Sequence, residues 1–127
     1  MRSRGSRRAK WPVAVVGAAL MAMLAPSSIA EGQSVAAAAR ACNPPHYPGA
    51  GYFTSLTVRR TSCAIGRKLA RAYHRCRTEN GKEGRCERRV MGFSCTEKRN
   101  SIPTEITARV RCKRGEARVT HTYQQDL

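Results

Sequence analysis

The sequence predicts a two-layer α+β domain: a small antiparallel sheet of about four strands, in the order β-α-β-β-β, with one helix on one face and disulfide staples. Three observations carry that expectation. A single segment, 61–76, has apolar residues at helical spacing, and several later segments alternate with a period of two. Six cysteines, at positions 42, 63, 76, 86, 95 and 112, all fall after the first forty residues. One helix covers only one face of such a sheet, so the other face meets solvent.

The chain begins with what reads as an export signal, 1–30. Arg2, Arg4, Arg7, Arg8 and Lys10 form a positive start without an acid, an apolar run follows from Trp11 to Ala25, and "PSSIA" supplies small residues at Ser28 and Ala30. The apolar core is shorter than the roughly 20 residues a membrane span needs, so cleavage after Ala30 is expected over an uncleaved membrane anchor. Cleavage removes five of the 24 lysines and arginines and none of the eight acids, leaving a formal +11 of the full chain's +16. The mature product is then a secreted or otherwise extracytoplasmic protein. Its even cysteine count reads as a disulfide framework, since a domain this small buries limited apolar surface.

Residues 31–51 read as an alanine-rich leader, disordered or weakly helical to Ala41, followed by a proline- and glycine-rich arm, "CNPPHYPGAG". The single domain is expected over 52–127. Its first strand, Tyr52 to Arg59, places Tyr52, Thr54, Leu56 and Val58 on one side. Ser62 offers a helix cap, and the helix runs to about Arg75 with Ile65, Leu69, Ala72, Tyr73 and Cys76 as its apolar stripe. Arg67, Arg71, His74 and Arg75 gather opposite. "RTENGKEGR" is a polar loop. A second strand is expected over Arg89 to Thr96 with Met91, Phe93 and Cys95 inward, then a polar loop through "TEKRNSIPTE". From Thr107 to Lys113 the alternation is clear: Ala108, Val110 and Cys112 inward, Thr107, Arg109, Arg111 and Lys113 outward. Gly115 marks a turn, and the last strand points Ala117, Val119, His121 and Tyr123 inward, with Arg118, Thr120 and Thr122 outward.

With the cysteines placed, the pattern over about 42–123 resembles small exported, disulfide-stapled proteins of uncharacterised function from actinobacterial-type, high-GC genomes. The likeness rests on Cys42 before the first strand, "TSCA" opening a helix that continues "LARAY", Cys95 ending a strand, and "VRCKRGEARVTHTY" as a closing hairpin. It implies a Cys42–Cys63 bridge and a Cys95–Cys112 bridge. Cys76 and Cys86 depart from the pattern; they pair with each other or exchange with the sheet cysteines, and the sequence leaves both open. The resemblance brings no catalytic residues.

No cofactor is implied. A minimal phosphodiesterase or ribonuclease-like hydrolase would need a base, an acid and a cation around a phosphate; His121, His74 and several arginines are the types, but nothing in their spacing makes them converge. "HRC" is not structural zinc spacing, so no metal is expected. The charge carries more weight. Arg67, Arg71 and Arg75 repeat along the helix, and Arg109, Arg111, Lys113 and Arg118 share the outer sheet face. Like charges four residues apart repel slightly, so helix stability does not explain them. Solubility is the plain reading; the sharper one is a binding or cell-envelope module for an anionic surface, either a wall polymer or acidic lipid. Scarce free aromatics weigh against nucleic acid, and a helix held at both ends weighs against a cationic membrane-active effector.

Overall fold

The computed structural model describes residues 37–127; the expected signal segment, its cleavage point and the start of the leader lie outside the described residues. The elements are β1 (Arg40–Ala41), β2 (Gly51–Arg59), α1 (Cys63–Thr78), β3 (Ser94–Ile102), β4 (Glu105–Arg114) and β5 (Ala117–Asp126). The fold is α+β as the sequence predicts, with a sheet of five strands rather than four, ordered β1-β2-β5-β4-β3 and antiparallel throughout. The extra strand comes from the leader. Arg40 and Ala41 pair with Val58 and Thr57, and the Cys42 amide donates to the Leu56 carbonyl at 2.9 Å.

The helix starts where Ser62, in extended backbone conformation, accepts the Ile65 amide proton on its side chain at 3.1 Å. Its buried side is Gly66, Leu69, Ala70, Tyr73, Cys76 and Arg77, rotated slightly from the expected stripe and reaching three residues further. Gly66 is required by close approach: a Cβ there would stand 2.7 Å from the Val58 side chain of β2. Leu69 and Tyr73 meet Leu56, Val58, Val110, Val119 and Tyr123 from the sheet in one core.

Two expectations fail for identifiable reasons. In β2 the register shifts between Phe53 and Ser55, so Phe53 is buried while Tyr52 is exposed. A bulge of this kind reverses the side-chain parity on its far side. The strand expected over 89–96 is a tight turn instead. Val90 and Phe93 exchange both backbone hydrogen bonds, and Met91 and Gly92 between them have φ of 51° and 77°. That geometry buries Val90 and Phe93 and leaves Met91 exposed. The strand itself occupies the expected loop, and Pro103 sits in the two-residue turn beyond it, where it interrupts no ladder bond.

Three disulfides close the domain: Cys42–Cys63 ties the arm to the start of the helix, Cys76–Cys86 ties its last turns to the following loop, and Cys95–Cys112 links directly paired residues of β3 and β4. The arm is part of the core, because Tyr47 is buried against Phe53, with ring centroids 5.0 Å apart.

Candidate functional site

The sheet pairing fixes which cations become neighbours. On the face away from the helix, Arg59 lies beside Arg118, Arg118 beside Lys113, and Lys113 beside Ser94. The next row runs Thr57, Thr120, Arg111, Thr96, and the third Ser55, Thr122, Arg109, Lys98. These three rows hold six cations and six hydroxyls, and no acid. The sequence-predicted Arg109, Arg111, Lys113 and Arg118 are thus brought together, and Arg59 and Lys98 join them. Lys98 carries no strand signal in the sequence, because it falls in the expected loop. Arg59 was legible as the outward neighbour of Val58.

The acids Glu105 and Asp126 sit at the far end of the same face, where Gln124 donates to Glu105 at 2.6 Å. Among the described residues, ion pairs join Arg60 to Glu116, Arg88 to Glu79, and both Arg85 and Arg99 to Glu97. None engages a cation of the three rows. Arg118 donates to the Gly115 and Ala117 carbonyls of its own turn, at 2.6 and 3.0 Å. The face is therefore a field of one sign without internal neutralisation.

Arg67, Arg71 and Arg75 lie on the far side of the molecule, on the solvent side of α1, with Arg67 half-buried and the other two exposed. The helix and core separate them from the sheet rows, so the expected basic residues form two patches rather than one.

Arg77, absent from the expected set, is the most buried cation, 1% exposed. Its guanidinium donates to the Tyr47 hydroxyl at 2.6 Å, to the Lys82 carbonyl at 2.9 Å and to the Gln125 side-chain oxygen, and lies 4.4 Å over the Tyr123 ring. Arg99 does related work from β3. It pairs with Glu97 at 2.5 Å and donates to the Glu83 and Gly84 carbonyls at 2.7 and 2.8 Å. Two arginines thus hold the polar 79–89 loop from inside, and part of the chain's positive charge is structural. A signal for Arg77 existed: it continues the helical series Gly66, Leu69, Tyr73.

The histidines do not assemble into an acid–base pair. His121 is 1% exposed, packed edge-on to Phe53 and Tyr73, and neither ring nitrogen has a hydrogen-bond partner. Burial, helped by the charge of Arg77, pushes its pKa down to about 3. His74 packs edge-on to Tyr47, at 4.7 Å between centroids, beside a small pocket of about 120 Å³. Burial and then Arg77 lower its pKa to about 4. His46 is exposed on the arm. Among the described residues no group of three or more His, Cys, Asp or Glu is placed to hold a metal ion, and no described helix is long and apolar enough to cross a membrane. All six cysteines are paired.

No family model matches the sequence, and neither a curated protein nor a solved structure matches it.

Proposed function

We propose that this chain is an exported binding module whose outer sheet face holds an extended polyanion at the cell envelope. The three disulfides fit an extracellular setting, and the expected cleavage after Ala30 would deliver the domain there. N-terminal sequencing of secreted protein should read from Glu31; a soluble cytoplasmic pool retaining Met1 would overturn export.

The observation that carries the binding reading is the set of six cations in adjoining rows with no acid among them. A solubilising surface gains nothing from setting like charges side by side, since opposed like charges destabilise a sheet. A polyanion relieves that repulsion and releases its own counterions, so affinity should fall steeply with salt. Replacing Arg109, Arg111 and Lys113 together by Ser should lower the salt needed to elute the protein from an immobilised heparin or teichoic-acid column, with an unchanged melting temperature. Equal elution salt for variant and wild type would leave the face a solvated surface. The membrane-active alternative is disfavoured by the helix, which disulfides hold at Cys63 and Cys76.

A further inference from the structure

Resting on that reading, we infer that the polyanion is a base-free phosphodiester chain, seated along β4 through two shallow grooves that meet at Arg111. The first groove, of about 440 Å³, is walled by Arg111, Lys113 and Arg118 with Thr96 and Thr120. The second, of about 490 Å³, is walled by Lys98, Arg109 and Arg111 with Thr107 and Thr122. Arg111 belongs to both.

The repeat along β4 favours a phosphodiester backbone, and the flanking groups decide against bases. Arg109, Arg111 and Lys113 are alternate residues of one strand, hence about 6.8 Å apart and separated by six backbone bonds. Phosphates joined through a three-carbon unit are also separated by six covalent bonds, so an extended phosphodiester chain repeats at nearly the same distance. Each phosphate could then meet one cation in register. Sulfated or carboxylated polysaccharides space their charges by sugar rings and match this repeat less well.

The flanking groups agree with this. Arg111 lies between Thr96 and Thr120 in its row, and neither hydroxyl has a side-chain hydrogen bond among the described residues. A guanidinium presents a planar fork to two phosphate oxygens, and the hydroxyls add donors on either side. Bases are not provided for. The exposed aromatic on this face, Tyr52, stands in the row beyond Arg109, beside Gln124, with no ring next to Arg111 or Lys113. An acidic bilayer is not provided for either: the three rows carry no apolar side chain that would enter it.

The test is fluorescence anisotropy with labelled poly(glycerol phosphate), heparin fragments, polyglutamate and oligothymidylate of matched charge, at several salt concentrations. Wild type is expected to bind poly(glycerol phosphate) about ten-fold more tightly than the other three. Arg111→Lys keeps the charge and removes the fork, so it should erase most of that preference while leaving the salt slope unchanged. Arg111→Ser should also reduce the slope by about one. Equal affinity for all four polymers, or a preference untouched by Arg111→Lys, would overturn the phosphodiester assignment and leave the general polyanion reading standing. Tighter binding of oligothymidylate would identify the ligand as nucleic acid and overturn the base-free assignment. Undiminished binding by the triple serine variant would overturn the polyanion reading itself.

Discussion

Arg75 and Arg77 are two residues apart on one helix and have opposite roles. The first ends in water; the second is enclosed by Tyr47, Gln125, Tyr123 and the Lys82 carbonyl. Arg77→Met preserves much of the volume but leaves the Lys82 carbonyl with one donor fewer and the Tyr47–Gln125 pair without its cation. Urea unfolding should register a loss of about 2–4 kcal/mol, against no more than about 0.5 kcal/mol for Arg75→Met. His121 presents a second residue-scale cost, with two buried ring nitrogens and no partner for either. Burial disfavours its charged form and holds its pKa near 3, while the unfolded chain binds a proton near 6.5. Between those values the unfolded state carries the extra proton, so stability is complete above pH 6.5 and declines as the pH falls towards 3. The contribution is on the order of 3–5 kcal/mol. His121→Phe should flatten that part of the stability-against-pH curve measured by urea titration; an unchanged slope would remove His121 as its source.

Within β4 each alternate position has a separate task. Ile106, Ala108, Val110 and Cys112 are buried, and Thr107, Arg109, Arg111 and Lys113 are exposed. Val110→Ala should therefore cost roughly 1–3 kcal/mol through lost burial, whereas Ser at the three alternate cations should leave the chemical unfolding midpoint almost unmoved. A large loss in the Ser variant would mean that those side chains pack rather than project. The same alternation explains which elements were legible. β4 has an apolar residue at every second position, β5 keeps the alternation through Ala117, Val119 and Tyr123, and α1 has a cap and a stripe, so pattern alone locates them. β3 has the same geometry with the reverse chemistry: its inward residues after Cys95 are Glu97, Arg99 and Ser101. Glu97 and Arg99 are buried as a pair, with Tyr73 donating to Glu97 at 2.9 Å. A strand whose inner face is an ion pair shows no hydrophobic period, so the sequence pattern gives a loop there. Lys98 went with it. The outer-face cations are accordingly legible on β4 and β5 and, at Arg59, on β2, and invisible on β3. The bulge in β2 hid Tyr52 and Phe53 in a different way, since no local residue pattern announces which side of a register shift turns inward.

At the scale of the molecule, the basic faces and the disulfides answer to each other. The chain is small and carries 24 lysines and arginines against eight acids, and crowding six cations on one face works against the compact state. The staples offset that. Cys42–Cys63, Cys76–Cys86 and Cys95–Cys112 bridge sequence separations of 21, 10 and 17 residues. In the chain-entropy account loops of this size contribute about 3 kcal/mol each, which together rivals the whole stability of an ordinary domain, about 5–15 kcal/mol. Removing one bridge, by Cys95→Ala with Cys112→Ala, should thus leave a folded protein weakened by about 3 kcal/mol. Removing all three should leave almost nothing. Full reduction at 37 °C and neutral pH is expected to abolish the tyrosine near-ultraviolet circular dichroism signal, which Tyr47, Tyr73 and Tyr123 generate from the core. If the outer face binds a polyanion as proposed, adding one to the reduced chain should restore part of the signal, because a ligand that binds only the formed sheet shifts the equilibrium towards it. A reduced protein that kept its near-ultraviolet signal would show that the hydrophobic core and the Arg77 and Arg99 networks suffice without the staples. The fold would then be open to reducing compartments as well.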